Sequence, residues 1–222
     1  MRAQAEFLDY LAHERHLSSN TIAAYRRDLD AFAEELARRE IDDPRRVDEH
    51  HVRGLITRRH REGLGPRSIQ RLLSAIRSYY RYLMREGLAD ANPAAAVKAP
   101  RARKKLPATL DTDTVSRLLA FEPRTPLEIR DKAMLELFYS SGLRLSELAT
   151  LRWDQLDTGS GLLRVTGKGN KTRLVPIGSY AVQALDAWRR VRGNFVGFDE
   201  PCVFVSQRGK PISVRTVQAR IR

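Results

Sequence analysis

Hydrophobic residues recur at three- and four-residue intervals through the first 90 positions, which is the spacing of helices with one buried face. The pattern predicts four helices. The first covers about residues 3 to 14, the second follows the polar stretch "SSNT", the third is short and capped by Asp48, and the fourth runs from Gly65-Pro66 to Gly87. The positions predicted to face the core of this bundle are Phe7, Leu8, Leu11, Ile22, Tyr25, Leu29, Phe32, Leu36, Val52, Leu55, Ile56, Ile69, Leu72, Leu73, Ile76, Tyr80 and Leu83.

The pattern changes in the second half of the chain. Helices are predicted after Asp111, after Pro126, around Leu145 to Leu151, around Val182 to Trp188, and after Ser213. Between them lie two short strand-like runs, "LLRVT" and "KTRLVP", joined by a turn rich in glycine, and these predict a β-hairpin. A further short strand is expected at "VFVS". The fold class is therefore mainly α, with one small antiparallel hairpin or sheet in the second half.

A break in the middle of the chain separates the two halves. Residues 93 to 107, "PAAAVKAPRARKKLP", contain three prolines and a basic cluster, which disfavours a helix. We therefore predict a helical domain at 1–92, a basic linker at 93–107 and a second domain at 108–222.

The charge is concentrated in one band of the sequence. The formal net charge is +13, yet residues 1–52 carry 8 Arg against 12 acidic residues, whereas residues 53–110 carry 14 Lys and Arg against 3 acidic residues. Such a band favours a polyanionic partner, most often nucleic acid, although an anionic membrane surface would select the same charge.

Other function classes lack support in the composition. The sequence holds no apolar run long enough to span a bilayer, and its first residues lack the apolar core of a signal peptide, so we expect a cytoplasmic protein. One cysteine, Cys202, excludes an internal disulfide framework, and it is most simply a small structural residue. The five histidines are scattered between residues 13 and 60, and we expect neither a metal site nor a cofactor.

Two basic surfaces are candidates for phosphate contact. The fourth helix presents arginines and hydroxyls on a face other than its apolar one, and Glu62 is the only acid between residues 53 and 85. A solvated face is the alternative, but such faces usually carry acids as i,i+4 partners, and unpaired guanidinium forks with short donors suit a phosphate backbone. The predicted nucleic-acid contacts are Arg67, Arg71, Ser74, Ser78, Arg81 and Arg85 on this helix and Arg101, Arg103, Lys104 and Lys105 in the linker.

The turn of the predicted hairpin, Gly167-Lys168-Gly169-Asn170, resembles a nucleotide-binding loop at first sight. A Walker loop would need glycine at positions 165 and 170, where the chain has Val165 and Asn170, and a helix afterwards, where it has a strand. What remains is a lysine at a turn, with Lys171 and Arg173 adding charge beside it, and these two residues are also predicted nucleic-acid contacts. This is either an exposed turn or a lysine that reaches a backbone phosphate.

A second unusual cation lies upstream in "YSSGLRLSELATLRW". Arg144 follows a turn at Gly142, and Glu147 stands three residues further on. The two side chains predict an i,i+3 ion pair. A guanidinium held by a carboxylate is also oriented for a bidentate phosphate contact, and the spacing alone leaves both interpretations open.

Here the chain resembles a known family. "IRDKAMLELFYSSGLRLSEL" and "VTGKGNKTRLVPIG" are similar to the hallmark motifs of tyrosine recombinases of the Xer type, and "FLDYLAHERHLSSNTIAAYRRDL" through "RLLSAIRSYYRYLMREGLADANPA" looks like their helical, SAM-like core-binding domain. "GLGPRSI", "LRLSEL" and "VFVSQRGKPIS" are more similar to the XerC branch than to the XerD branch. The resemblance covers essentially the whole chain.

The resemblance implies a function and assigns roles. Arg144 would grip the scissile phosphate, Lys168 would protonate the departing 5′-hydroxyl, and Glu147 would support the arginine. A tyrosine would attack the phosphate and form a 3′-phosphotyrosyl bond, with no metal or other cofactor. The implied partners are a double-stranded DNA recombination site and a XerD-like recombinase in a cyclic heterotetramer that resolves chromosome dimers.

One departure from the family is large. The family places a His-x-x-Arg motif, a further His or Trp and the nucleophilic tyrosine after the point where these 222 residues end, and the last tyrosine, Tyr180, matches none of these positions. We therefore expect a C-terminally truncated recombinase that binds DNA but does not cleave it alone. The alternatives are a phage or mobile-element integrase and a non-catalytic DNA-binding module.

Overall fold

The structure is a computed structural model that describes residues 2–100, 111–167, 171–197 and 199–221. The chain divides into two compact units, Met1–Leu106 and Pro107–Arg222. The first unit contains α1 (Arg2–His13), α2 (Ser19–Ala37), α3 (Glu49–Arg61) and α4 (Pro66–Arg85), with a single 3-10 turn at Pro44–Arg46. The four predicted helices are therefore confirmed.

Local chemistry at the helix ends explains where these helices begin. The Ser18 hydroxyl accepts a hydrogen bond from the backbone N–H of Thr21, and the Asp48 carboxylate accepts one from His51, so that otherwise unpaired amides at the starts of α2 and α3 are satisfied. Gly65 and Pro66 open α4, where the proline occupies the first turn and needs no amide hydrogen. The core of this unit is the apolar stripe of α4 packed against α1, α2 and α3.

The predicted linker starts too early. Ala94 and Val97 are buried in the core of the first unit, and the Arg77 guanidinium on α4 donates hydrogen bonds to the carbonyl oxygens of both residues. One guanidinium has five N–H donors and can bond both carbonyls at once. These two hydrogen bonds hold the segment after α4 against the helix. Residues 93 to 97 therefore belong to the first unit, and the basic cluster at 101 to 105 lies outside the described residues.

The second unit combines helices with one small sheet. It contains α5 (Thr112–Leu119), α6 (Pro126–Ser141), α7 (Leu145–Ala149), α8 (Ser179–Arg192) and α9 (Val214–Ile221). The strands are β1 (Leu156–Asp157), β2 (Leu162–Thr166) and β3 (Thr172–Pro176), which pair antiparallel in the order β1-β2-β3. The hairpin register places Val165 opposite Arg173 and Thr166 opposite Thr172. The predicted fold class, mainly α with a small antiparallel sheet, is confirmed.

Two details of the second unit differ from the expectations. "VFVS" is no regular strand: Val205 makes an isolated antiparallel bridge to Pro211, flanked by hydrogen bonds from Ser206 N–H to the Lys210 carbonyl and from Ile212 N–H to the Phe204 carbonyl. Leu118, an apolar residue of the helix predicted after Asp111, is 46% exposed and does not face a core. The buried core instead forms around α6, α8 and the inner face of the sheet, with Met134, Leu137 and Trp188 fully enclosed.

A buried ion cluster joins α6 to α9. Arg130 is 3% exposed, and its Nε and Nη2 donate to Asp131 Oδ1 at 3.0 and 2.7 Å, while its Nη1 donates to the Val205 carbonyl at 3.1 Å. The other carboxylate oxygen, Oδ2, accepts from Arg220 Nε on α9 at 2.6 Å. A buried guanidinium needs such a partner, since its charge would otherwise stand unpaired in a poorly hydrated site.

Candidate functional site

The end of α6 sets the position of Arg144. Gly142 caps the helix with φ 57°, in the left-handed region that glycine enters without strain. The buried Leu143 follows, and Arg144 then occupies the N-cap position of α7 with extended backbone angles. The hydroxyl of Ser141 also donates to the Pro176 carbonyl at 2.8 Å, so that the end of α6 is tied to the end of β3.

Glu147 is the centre of the site. Its Oε2 accepts a hydrogen bond from the backbone N–H of Arg144 and its Oε1 accepts one from Arg144 Nη1, both at 2.8 Å. The Glu147 side chain is 6% exposed, whereas the Arg144 side chain is 68% exposed. The predicted i,i+3 ion pair is therefore present, and it presents most of the guanidinium to solvent.

A second guanidinium binds the same carboxylate from the hairpin. Arg173 Nη1 donates to Glu147 Oε1 and Arg173 Nη2 donates to Oε2, both at 2.9 Å. Strand alternation explains this contact, because Arg173 lies on the same face of β3 as the half-buried Val175 and opposite the buried Val165. The prediction of Arg173 as a DNA contact leaves out its bond to Glu147, for which the alternation of exposed and half-buried residues in β3 is the available signal.

The hairpin turn begins beside these three side chains. A Cβ atom placed on Gly167 would lie 3.4 Å from Arg173 Nη1, 3.5 Å from Glu147 Oε1 and 3.6 Å from Arg144 Nη1. Gly167 N–H donates to the Lys171 carbonyl at 2.9 Å and closes the base of the turn. Lys168 follows directly in the chain and lies outside the described residues, while Lys171 is exposed at the far side of the turn.

The electrostatics of the cluster favour an anion. Two guanidiniums share one carboxylate, so the three side chains carry a net charge of +1 at neutral pH. Within the described residues, no side chain or carbonyl accepts from Nε or Nη2 of Arg144, which leaves these donors free for a ligand. Hydrogen bonds from Arg173, then from Arg144, lower the pKa of Glu147 to about 2, against the opposing effect of burial. The carboxylate is thus ionised throughout the physiological range.

The arginine surface of α4 differs from the expectation. We predicted an unpaired stripe, but Arg71 forms a bidentate ion pair with Asp28 of α2, with Nε–Oδ2 at 2.8 Å, and Arg85 pairs with Glu86 and stacks on Tyr10. The Ser74 hydroxyl donates to the Gln70 carbonyl of its own helix. The prediction that these side chains are unpaired is therefore wrong for Arg71 and Arg85.

Other members of the α4 surface remain available. Arg67 and Arg81 are exposed. Ser78 and Arg81 line a groove of about 360 Å³ between α1, α2 and α4, whose walls also include Tyr10, Tyr25 and Arg85. Guanidiniums beside aromatic rings in a groove suit a phosphodiester backbone, and DNA contact by these residues stays a prediction.

The described residues do not form a metal centre: none of their His, Cys, Asp and Glu side chains come together in groups of three or more. Burial raises the pKa of the half-buried Cys202 thiol, which therefore lacks the thiolate character of a nucleophile. Within the part of the chain that the structure describes, no helix has the length and hydropathy needed to span a bilayer.

Comparison with known proteins identifies the class to which this architecture belongs. The sequence pattern of the Phage integrase family matches residues 108–222, and that of the Phage integrase N-terminal SAM-like domain matches residues 5–87. The chain belongs to the phage integrase family, and within it to the tyrosine recombinases of the Xer type.

Individual relatives show which tyrosine recombinases the chain is similar to. The chain is 49% identical over 222 residues to tyrosine recombinase XerC of Xanthomonas campestris pv. campestris (strain B100), covering all of this chain and 68% of the relative. It is 44% identical over 221 residues to tyrosine recombinase XerC of Xylella fastidiosa (strain M23), covering 74% of that protein. The chain is thus similar to XerC recombinases along its whole length.

A solved structure shares the fold. The crystal structure of a lambda integrase dimer bound to a COC′ core site matches with a TM-score of 0.74 at 19% identity, over 99% of this chain and 75% of that one. At this identity the likeness concerns the fold, which agrees with a helical first unit followed by an α-rich second unit with a small sheet.

The low pKa of Glu147 gives a pH prediction. A carboxyl whose pKa is about 2 when folded and about 4.3 when unfolded contributes stability that is present above pH 4.3 and lost as the pH falls toward 2. We expect Glu147→Gln to remove about 1–2 kcal/mol of this pH dependence, after allowance for solvent screening. The measurement is urea unfolding at several pH values, followed by tryptophan fluorescence.

The control for this experiment is Asp186→Asn, which removes an exposed carboxylate on α8. It should leave the slope of stability against pH between 4.3 and 2 close to that of the wild type. Equal slopes for Glu147→Gln and the wild type would contradict the strong ion pairing at Glu147.

Proposed function

We propose that this chain acts in site-specific DNA recombination as a XerC-type tyrosine recombinase, which cuts and rejoins a double-stranded DNA site. The observation that carries the proposal is the shared carboxylate of Glu147, which holds the exposed Arg144 beside the start of the hairpin turn, with Gly167 in contact distance. Similarity to XerC recombinases over the whole chain supports it.

In the proposed reaction, Arg144 binds the scissile phosphate. Its free Nε and Nη2 donors suit two phosphate oxygens, and its charge stabilises the extra negative charge that develops on the pentacoordinate phosphorus. A tyrosine oxygen attacks the phosphorus and forms the 3′-phosphotyrosyl bond, while the bond from phosphorus to the 5′-oxygen breaks. Lys168 gives its proton to that leaving oxygen. The reverse sequence rejoins the strand without an external energy source, because the phosphodiester energy is kept in the covalent bond.

The tyrosine nucleophile belongs to sequence outside these 222 residues in this proposal. The chain by itself then binds DNA without cleaving it. The biological reaction is the resolution of chromosome dimers, with a XerD-like recombinase as partner in a cyclic heterotetramer.

Other parts of the chain position the DNA. We assign Arg67, Ser78, Arg81 and the cluster from Arg101 to Lys105 to the phosphate backbone, together with Lys171. The core-binding unit extends past residue 92 to include the segment held by Arg77. The catalytic domain begins near residue 108.

Binding by the 222-residue chain tests the role of Arg144. Removal of a phosphate contact reduces the slope of log Kd against log salt by about 0.9. We expect Arg144→Ala to lower this slope by that amount and to weaken binding about tenfold, since hydrogen bonds to charged groups contribute about 1.5–3 kcal/mol. Fluorescence anisotropy with a labelled duplex, titrated at several salt concentrations, measures both quantities.

The control is Arg164→Ala, which removes an equal charge from the outer face of the same hairpin. It should change affinity by less than about threefold and leave most of the slope in place. An Arg144→Ala variant whose slope equals that of the wild type would remove the phosphate contact from the proposal.

A further inference from the structure

Glu147 engages both terminal nitrogens of Arg173, whereas Nη2 of Arg144 has no partner within the described residues. The two Arg173 nitrogens bond Glu147 at 2.9 Å, one to each carboxylate oxygen. The side chain is 38% exposed, against 68% for Arg144. Its hydrogen bonds with Glu147 raise the pKa of the Arg173 guanidinium, which therefore stays charged. A cation that is already engaged in this way is a poor candidate for direct phosphate contact.

The bonds to Glu147 are divided unequally between the two arginines. Arg173 contributes a bidentate fork, whereas the Arg144 side chain contributes only one bond, through Nη1. If Arg173 were absent, Glu147 and Arg144 would form a neutral pair, and the buried carboxylate would attract the whole guanidinium of Arg144. The charge of Arg173 balances Glu147 and leaves the charge of Arg144 uncompensated.

The same contact joins two separate elements. Glu147 lies on α7, and Arg173 lies on β3 opposite Val165, two residues before Gly167. The bidentate fork thus fixes the hairpin to the short helix at the point where the turn carrying Lys168 begins.

We propose that Arg173 is a positioning residue of the phosphate site: it neutralises Glu147 so that Arg144 stays free for the DNA, and it holds the base of the hairpin, at Gly167, beside Arg144. This inference rests on the proposed function. It differs from direct DNA contact by Arg173 in a way that a double substitution can separate.

The test is a double-mutant cycle on DNA binding by the 222-residue chain. Arg173→Gln should weaken binding about five- to tenfold, because Glu147 then draws Arg144 away from the phosphate. In the Glu147→Gln background the same substitution should cost less than about twofold, since no buried carboxylate remains to be neutralised. If Arg173 contacts DNA directly, its removal costs the same in both backgrounds, and that result would overturn the inference.

A pH profile gives an independent readout. In Arg173→Gln, Glu147 loses its main stabilising partner, so its pKa rises from about 2 toward the ordinary value of a glutamate, about 4.3, and it takes up a proton as the pH falls toward 4. Binding by this variant should recover over that range relative to the wild type, in which Glu147 stays ionised. If DNA binding by this variant has the same pH profile as that of the wild type, Arg173 does not act by neutralising Glu147.

A conservative variant controls for folding. Arg173→Lys keeps the charge and should stay within about threefold of the wild-type affinity, although it loses the bidentate fork. Tryptophan fluorescence verifies that each variant retains the native second unit. If Arg144→Ala leaves binding unchanged, the proposed function fails; if Arg144→Ala weakens binding while Glu147→Gln gives no relief to Arg173→Gln, only the role of Arg173 fails.

Discussion

Substitution of Arg144 by alanine should lower the rate of DNA cleavage about 10³-fold in a chain that contains the nucleophile. The reason is that a preorganised cation aimed at a transferring phosphoryl group contributes about 10²–10⁵ in rate. A suitable chain joins the 222 residues to the segment of a XerC recombinase that carries the nucleophilic tyrosine. The measurement is the rate of covalent adduct formation with a suicide DNA substrate.

Three comparisons make this experiment decisive. Lys168→Ala should slow cleavage about 10²–10⁴-fold, as expected for the loss of a general acid, and a substrate with a better leaving group at the 5′-oxygen should relieve that defect but not the defect of Arg144→Ala. Arg164→Ala, on the outer face of the hairpin, should stay close to the unsubstituted chimera. The 222 residues without the added segment should form no adduct. An adduct with that chain would contradict the assignment of the nucleophile, and full activity of Arg144→Ala would contradict the assignment of the site.

Substitution of Asp131 by asparagine should destabilise the second unit by about 3–5 kcal/mol. Asp131 is the carboxylate shared by the buried Arg130 and by Arg220 of α9, and breaking a buried pair from one side leaves a guanidinium without its counter-charge. Urea unfolding followed by tryptophan fluorescence is specific for this unit, because both tryptophans of the sequence, Trp153 and Trp188, belong to it.

The matched control is Asp154→Asn, the same chemical change in an exposed ion pair with Arg152. Exposed pairs contribute less than about 1 kcal/mol, so its unfolding midpoint should remain near that of the wild type. Arg220→Ala should fall between the two, since the Arg220 side chain is 46% exposed and Asp131 keeps its hydrogen bonds from Arg130 when Arg220 is gone. Equal midpoints for Asp131→Asn and Asp154→Asn would show that the buried pair stabilises the second unit no more than the exposed pair does.

Periodicity and capping were sufficient to predict the helices of the first unit. On α4 the apolar stripe, the proline at the first turn and the glycine after the last turn all agree, and every predicted inward residue is buried. These signals act within a few residues of one another, so the sequence displays them directly.

The partners of charged side chains were harder to predict from the sequence. Asp28 lies 43 positions before Arg71, and no local rule connects them. The sequence of α4 alone therefore predicts an unpaired Arg71. The hydrogen bonds from Arg77 to carbonyls after α4 were hidden in the same way, because backbone acceptors have no sequence signature, and the proline-rich composition of residues 93–107 dominated the prediction.

The candidate site was predicted in part. The ion pair between Arg144 and Glu147 follows from their spacing and is present. The second guanidinium on Glu147 depends on how a strand packs against a short helix 26 residues upstream, which is a tertiary contact. The position of Lys168 relative to Arg144 stays a prediction.

The last turn of α6 is connected to two segments at once. The hydrogen bond from Ser141 to the Pro176 carbonyl ties it to the end of β3, and the turn at Gly142 leads directly to Arg144. A tilt of that helix would carry Arg144 and the base of the hairpin in the same direction. In the proposed function, strain from bound DNA on the second unit would therefore displace both groups together. Lengthening the connection between Ser141 and Arg144 by one residue would uncouple them.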